Sequence, residues 1–198
     1  PRAVALNTIL MLLTTAVLFS GLYAVATSRR HLLIGLAVFL PALVLGWLEK
    51  LRPSATIEVL ELVFLILFFA YLAWMLLLHV LAARRVDVNI IFAAICVYML
   101  VGFTCGYAYY LIELLAGDPT SMATFTGNVG IDLPRSESIY YSFVTLTTLG
   151  YGDIAPIASS SRAIAMVEAL TGQVYLVTLM ARLVSLQVAH SSQPQGQS

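Results

Sequence analysis

Charged side chains are scarce in this chain of 198 residues, in which Asp, Glu, Lys and Arg together make up 10%. A soluble domain carries roughly 25% charged residues. Hydrophobic residues reach 61%, so too little polar surface remains to face water, and we expect lipid to be the surrounding solvent. The ten basic residues are balanced by ten acidic ones. This balance leaves no basic excess that would indicate a nucleic-acid partner.

Cysteine is also rare, since only Cys96 and Cys105 are present and both lie within one apolar run. They fit neither a disulfide framework nor a metal site, and buried free thiols are the simpler interpretation. The sequence has no paired His, Cys or Asp cluster suited to catalysis, and its hydrophilic connections are too short to build an active site. The chain is therefore predicted not to be an enzyme.

Arginines at every third position are missing from the first apolar segments, and this excludes a voltage sensor of the S4 type. The arginines there occur as pairs, at 29–30 and 84–85, near the ends of segments. The polar tail 191–198 is too short for a ligand-binding domain, and its composition predicts a disordered cytoplasmic segment.

Five apolar segments are long enough to cross a bilayer core of about 30 Å, which takes roughly 20 helical residues. The first also resembles a signal peptide, but its apolar run exceeds the ~7–15 residues of such a region, so a helix is expected. A sixth stretch, 139–149, is too short to span and is predicted to be a re-entrant helix. The sequence therefore predicts an all-α membrane protein with about five transmembrane helices and a re-entrant pore helix. The five segments are 4–27, 32–48, 57–81, 90–116 and 162–189.

The basic residues orient these segments across the membrane. The arginine pairs at 29–30 and 84–85 place the first and third connections in the cytoplasm, whereas the mostly acidic connection 117–137 is placed outside. Lys50 and Arg52 in the second connection argue weakly for the opposite orientation. Five crossings then put the amino terminus outside and the carboxyl terminus in the cytoplasm.

One short stretch, residues 147–153 (T-T-L-G-Y-G-D), has the residues expected of a backbone that binds ions. An ion that crosses a membrane loses its water shell, and backbone carbonyls replace those oxygens when four copies of a strand surround one axis. Successive carbonyls point inward only if the backbone alternates between conformations that glycine adopts cheaply. Gly150 and Gly152 flank Tyr151 and meet that need, and Thr148 adds a hydroxyl oxygen.

Residues 139–156 (I-Y-Y-S-F-V-T-L-T-T-L-G-Y-G-D-I-A-P) resemble the pore loop and filter of the tetrameric potassium channel family, and the resemblance extends over about 88–189. It implies a homotetramer of identical subunits, surrounded by membrane lipids, that conducts K⁺ passively in the plasma membrane of a prokaryote. The mouth of the filter is expected to face outward. The filter residues that the resemblance implies are Thr148, Leu149, Gly150, Tyr151 and Gly152, with K⁺ bound at the first four.

Two filter positions test how close the resemblance is. Leu149 stands where the family usually has valine or isoleucine. Tyr151 favours K⁺, because relatives with aspartate at this position tend to be non-selective.

The resemblance also implies a set of residues that support the filter. Tyr140 and Tyr141 replace an aromatic pair that packs around it, and Tyr141 is expected to donate a hydrogen bond to Asp153. Val144 stands where some members have a glutamate, so a carboxylate pair with Asp153 is excluded. The complete supporting set is Tyr140, Tyr141, Val144, Thr147, Asp153 and Glu168.

Glu168 is a carboxyl group inside a membrane segment, and such groups are functional hypotheses by default. We expect its partner to be a hydroxyl of Thr145 or Thr147, or Gln173 of a neighbouring subunit. A purely structural hydrogen bond within the chain is an equal alternative.

Two gating features are predicted in the last apolar segment. Gly172 lies where the family has a hinge glycine, and close packing of helices is the alternative role. An apolar stripe downstream suits a constriction of the inner gate, although a lipid-facing surface would show the same spacing. Its members are Leu176, Met180, Val184 and Val188.

These elements divide the chain into a peripheral region, 1–83, a pore domain, 84–190, and the tail. A transporter of the pore-loop type is the main rival, but it needs four repeats in one chain. A membrane protein with a degenerate pore is disfavoured by the intact filter. The predicted parts of the pore domain are the outer helix 88–116, turret 117–136, pore helix 137–147, filter 148–152 and inner helix 161–189.

Overall fold

The computed structural model describes residues 29–83, 87–116 and 135–191, which form five helices and no strand. The predicted all-α fold class is therefore confirmed. The predicted segment 4–27, most of the turret and residues 192–198 lie outside the described residues. We number the helices in chain order: α1 is Arg29–Leu51, α2 Ala55–Ala82, α3 Val88–Ala116, α4 Arg135–Leu146 and α5 Ser159–Ser191.

Four of these helices, α1, α2, α3 and α5, are long and apolar enough to cross a membrane. Their ends differ by at most three residues from the predicted apolar segments. Helix α4 has 12 residues and is therefore about 18 Å long, too short to cross a core of about 30 Å. It corresponds to the predicted re-entrant pore helix, 137–147, although it begins two residues earlier and ends one residue earlier.

Local signals explain where the helices begin and end. Pro53 follows α1 by two residues, and the residue before a proline disfavours the helical conformation. Asp87 precedes α3, and its carboxylate Oδ1 accepts a 2.7 Å hydrogen bond from the amide of Val88. The α1–α2 connection is consequently short, and α3 starts from a capped end.

The described residues fall into two compact units, one up to Leu72 and one from Ala73 onward. In the first unit, the rings of Phe39 and Phe68 are buried and their centroids lie 5.9 Å apart. The boundary lies inside α2, whereas the sequence predicted a division after residue 83. The end of α2 is joined to α5 by Arg182, which donates to the carbonyls of Leu81 and Ala83.

In the second unit, α4 is wedged between α3 and α5, and glycines make this possible. An alanine Cβ at Gly102 would lie 2.6 Å from the Phe143 ring, and one at Gly106 would lie 2.8 Å from the Cα of Ile139. Gly102 and Gly106 form a G-x-x-x-G pattern, which lets membrane helices approach closely. Here the pattern brings the outer helix onto the pore helix.

Candidate functional site

The backbone after α4 alternates in conformation. Thr148 has φ of 58°, Gly150 of 57° and Gly152 of 79°, whereas Leu149 and Tyr151 between them have no positive φ. In an ordinary strand successive carbonyls point to opposite sides. Turning over every second residue lets successive carbonyls face the same side. The sequence predicted this alternation for the two glycines but not for Thr148, because a threonine gives no signal for positive φ.

The amides of this stretch are bonded to the carboxyl end of the pore helix. The N–H of Thr148 donates to the carbonyl of Thr145 at 2.9 Å, and that of Leu149 donates to Val144 at 2.9 Å. The N–H of Gly150 also reaches the Val144 carbonyl, at 3.3 Å. The carbonyls of residues 148–151 accept no hydrogen bond from any described residue. A row of carbonyl oxygens is therefore left available to a ligand.

The residues of this row are exposed in the single chain. The side chain of Leu149 is 55% exposed and that of Tyr151 is 66% exposed. Thr148, Gly150 and Gly152 are exposed as well. The amide nitrogen Nε2 of Gln173 donates to the Thr148 hydroxyl at 3.1 Å, so α5 contacts the inner end of the row.

Asp153, just beyond the row, is bonded to Tyr140. The Tyr140 hydroxyl donates to Oδ2 of Asp153 at 2.7 Å, so the expectation that Tyr141 makes this bond is wrong. This bond lowers the pKa of the Asp153 carboxyl and raises the pKa of Tyr140 to about 12. The physical reason for the correction is helix rotation, since neighbouring residues on α4 face different sides.

The other supporting residues lie behind the row. Tyr141 is buried and packs edge-on against Tyr109, with ring centroids 5.0 Å apart. Val144 is buried as well. The Thr147 hydroxyl donates to the carbonyl of Phe143 at 2.7 Å, within its own helix.

Glu168 is buried between three helices, with 3% of its surface exposed. Its Oε2 accepts a 2.7 Å hydrogen bond from the hydroxyl of Tyr109 on α3, and its Oε1 lies 2.5 Å from the hydroxyl of Ser142 on α4. The predicted partners, Thr145, Thr147 or a neighbour's Gln173, are therefore not those that it contacts in this chain. Sequence reasoning missed Tyr109 and Ser142, because apolar periodicity does not fix which residues of three helices meet.

Gly172 lies against the end of the pore helix. An alanine Cβ at this position would collide with the carbonyl oxygen of Leu146 and lie 2.9 Å from its Cδ1. The close-packing role is thus visible in the structure, with the pore helix as the neighbour. The hinge role remains a prediction.

The predicted gate residues all lie on α5 beyond Gly172. The side chains of Leu176, Met180 and Val184 are exposed in the single chain, while that of Val188 lies outside the described residues. Exposure suits both a pore lining and a lipid-facing stripe, so the inner gate remains a prediction.

Comparisons with known proteins match the part of the chain that contains this site. Residues 95–188, which run from α3 through the candidate filter into α5, match a family model described as an ion channel. This match, with the relatives described next, confirms the predicted resemblance to the pore-loop potassium channel family. The match to an ion channel family indicates a non-enzymatic protein, and together with the four apolar helices it supports an integral membrane protein.

Two curated relatives come from Arabidopsis thaliana. Two-pore potassium channel 4 is 43% identical over 49 residues, which cover 25% of this chain and 17% of the relative. Two-pore potassium channel 1 is 31% identical over 86 residues, which cover 43% of this chain and 20% of the relative. The matched regions thus span about a fifth of these relatives' length or less. No solved structure matches the chain.

Proposed function

We propose that this chain is a subunit of a potassium-selective channel that conducts K⁺ passively. The observation that carries the proposal is the backbone at residues 148–152. Its φ angles alternate, the amides of residues 148–150 are bonded to the pore helix, and its carbonyls accept no bond from the described residues. Rows of backbone carbonyls replace the hydration shell of K⁺ in channel filters. The K⁺ ions would lie at the carbonyls of Thr148, Leu149, Gly150 and Tyr151.

Four identical chains would form the pore. Non-helical backbone at membrane depth is tolerated only where protein buries it or where it lines a water-filled cavity. Residues 148–152 are exposed in one chain, so other copies must cover them. Each chain carries one filter strand, and a ring of carbonyls around an axis takes four. A homotetramer in lipid satisfies both requirements.

The orientation follows from the basic residues at the helix ends. Arg29 and Arg30 begin α1, and Arg182 lies towards the far end of α5. With these residues in the cytoplasm, the carboxyl terminus is cytoplasmic and the mouth of the filter faces outside the plasma membrane. The helix dipole of α4 then presents its negative end near the inner side of the filter, where it favours a cation.

Gating would involve α5. Gly172 serves as the hinge or as the packing point on the pore helix, and the stripe from Leu176 to Val188 would form the apolar constriction. The described part of the peripheral region, α1 and most of α2, has no arginine ladder, so gating by an S4-type sensor is not proposed.

The proposal is tested by reconstituting the purified chain in liposomes and by measuring its mass in mild detergent. We expect ion uptake driven by a K⁺ gradient but not by an equal Na⁺ gradient, with block by barium. The expected particle contains four chains. Equal uptake of the two cations would refute selectivity, and a monomer that conducts would refute the shared pore.

A further inference from the structure

The Ser142 hydroxyl beside Glu168 faces two acceptors, whereas the Tyr109 hydroxyl and the Cys105 thiol each bond to the Glu168 carboxyl group. The Ser142 hydroxyl lies 2.7 Å from the carbonyl oxygen of Gly102 and 2.5 Å from Oε1 of Glu168. A serine hydroxyl has a single proton to donate. If Glu168 is ionised, one of these two acceptors receives no proton from Ser142.

A proton on Glu168 resolves this conflict. Oε1–H then donates to the Ser142 oxygen, the Ser142 hydroxyl donates to the Gly102 carbonyl, and the Tyr109 hydroxyl donates to Oε2. Each proton has one acceptor, and the chain of bonds runs from α5 through α4 to α3. Fully satisfied networks of this kind fix the arrangement of buried elements.

The surroundings of Glu168 also favour the neutral form. The titratable groups that face it are Tyr98, Cys105 and Tyr109 from α3 and Tyr141 from α4, all of which are ordinarily neutral at pH 7. No described cationic side chain contacts it. A buried carboxylate without a counter-charge is strongly disfavoured, and the group takes up a proton instead.

The arginines of the pore region are bonded elsewhere. Arg135 lies over the Tyr110 ring, Arg162 donates to the carbonyl of Pro156, and Arg182 donates to the end of α2. These are the only Lys, Arg or His residues between positions 87 and 182. A counter-charge from this part of the chain is therefore excluded by the described geometry.

We propose that Glu168 is a protonated, neutral carboxyl group at neutral pH and that it acts as a positioning residue for the filter. Its bond to Ser142 ties α5 to the middle of the pore helix, one turn before Gly172 meets the end of that helix. Gln173 then reaches Thr148 in the filter itself. Three successive contacts along α5 therefore hold the pore helix and the filter, and Glu168 is the buried ionisable residue among them. The positioning role rests on the proposed function, whereas the protonation does not.

Substitution by glutamine tests the protonation state directly. The amide of Glu168→Gln can donate to Ser142 and accept from Tyr109, as the neutral acid does, but it cannot replace an ionised carboxylate. We expect Glu168→Gln to keep the K⁺ over Na⁺ discrimination of the unmodified channel. Glu168→Ala leaves both hydroxyls without their partner and is expected to lower that discrimination about tenfold or more.

Infrared spectroscopy provides a readout that does not depend on conduction. We expect the unmodified protein at neutral pH to show the C=O band of a protonated carboxyl that Glu168→Gln abolishes. Glu61 is the other buried carboxyl among the described residues, so Glu61→Gln is the matched control and should leave that band in place. The band and its loss decide the protonation even if the protein fails to conduct or if Glu168→Ala fails to fold.

Three results would overturn the proposal. A Glu168→Gln channel as impaired as Glu168→Ala would mean that an ionised carboxylate is needed. The absence of a band removed by Glu168→Gln would mean that the group is not protonated. A Glu168→Ala channel with unchanged discrimination and unchanged thermal stability would refute the positioning role. Absence of K⁺ conduction by the unmodified protein would refute the channel function alone.

Discussion

Thr148 holds a left-handed backbone conformation that costs a non-glycine residue about 1–2 kcal/mol. Such strain persists only where surrounding contacts enforce it, and it is concentrated at functional sites. The contacts are present here, since the amide of Thr148 is bonded to Thr145 and its hydroxyl accepts from Gln173. The conformation of the filter therefore depends on both the pore helix and α5, and the two glycines reduce the remaining strain.

Gly150→Ala is expected to abolish selective conduction. No heavy atom of the chain lies within 4 Å of the added Cβ, so the harm comes from its positive φ, at about 1–2 kcal/mol in each subunit. Leu149→Val is the matched control, because its neighbouring position has no positive φ. Liposome flux in opposing K⁺ and Na⁺ gradients measures both variants. Selective flux through Gly150→Ala would show that the left-handed backbone is dispensable.

Tyr140→Phe is expected to remove the stabilisation, and the acid sensitivity, that the Tyr140–Asp153 bond contributes. The Tyr140 hydroxyl lowers the pKa of Asp153, so its stabilisation is complete above the ordinary value of 3.8 and is lost as pH falls through the lowered pKa. The raised pKa of Tyr140, about 12 against 10.0, keeps the bond fully present below pH 10.0. Without the hydroxyl, the Asp153 pKa rises towards its ordinary value.

Thermal unfolding of detergent-solubilised protein across pH measures this shift. Tyr140→Phe should be less stable than the unmodified chain above pH 3.8, and this difference should shrink as the pH falls below 3.8. Tyr141→Phe, whose hydroxyl does not reach Asp153, should follow the unmodified profile. Identical acid limbs for all three proteins would remove the bond from the explanation of mouth stability.

Three glycines let the neighbouring helices approach the pore helix closely. Gly102 and Gly106 bring α3 onto it, and Gly172 brings α5 onto its last carbonyls. Small residues serve this purpose in membranes because lipid tails are as apolar as the side chains. Helices therefore associate through close van der Waals packing, which small residues permit. The Leu146 carbonyl contacts Gly172 on α5 and accepts a 3.0 Å hydrogen bond from the Tyr98 hydroxyl. These two contacts fix its position.

Gly172→Ala separates the packing role from the hinge role by the sign of its effect. If the glycine only permits bending, alanine should stabilise the helix by about 1 kcal/mol. The contact with Leu146 predicts the opposite, a loss of about 1–3 kcal/mol from overpacking. Ala181→Gly on the same helix calibrates the propensity effect alone. The free energy of unfolding in detergent decides the sign, and a stabilised Gly172→Ala protein would contradict the packing role.

Arg182 joins the end of α2 to α5 between two predicted gate residues, Met180 and Val184. Its guanidinium donates to the carbonyls of Leu81 and Ala83, where a cation also suits the helix dipole. Arg182→Gln is expected to weaken this end of α2 by about 1–2 kcal/mol. Hydrogen exchange of the amides at 78–83 should then accelerate.

Arg182→Lys is the control for the geometry of this contact. Lysine keeps the charge but lacks the planar group that reaches two carbonyls together. In the Arg182→Lys protein, the amides at 78–83 should exchange faster than in the unmodified chain and more slowly than in Arg182→Gln. Unchanged protection in Arg182→Gln would mean that the contact does not hold α2.

The arrangement of spans was largely predictable, because length and apolarity set membrane helices to within a turn. The positive φ angles of Gly150 and Gly152 were predictable, because glycine adopts such conformations cheaply. The contacts between helices were not, because these helices are apolar on most sides and their rotation is left undefined. The partners of Glu168 and the choice of Tyr140 over Tyr141 both depend on that rotation. The G-x-x-x-G pattern at Gly102 was the one readable signal of pore-helix packing that sequence reasoning missed.

The boundary between the compact units, which lies inside α2, was likewise not predictable from the sequence. The apolar composition of α2 is continuous, so the sequence places a boundary only at the arginines that follow it. The contact made by Arg182 and the apolar cavity of about 480 Å³ between the end of α2 and α5 are tertiary features.

The most direct test of the proposed channel is the reversal potential of the reconstituted protein with K⁺ on one side of a bilayer and Na⁺ on the other. With a carbonyl-lined filter and Tyr151 intact, the reversal potential should correspond to a permeability for K⁺ at least tenfold higher than for Na⁺. A tenfold ratio corresponds to about 1.4 kcal/mol. Tyr151→Asp, measured alongside, should conduct with this preference reduced. A reversal potential near zero for the unmodified protein would contradict potassium selectivity through this filter.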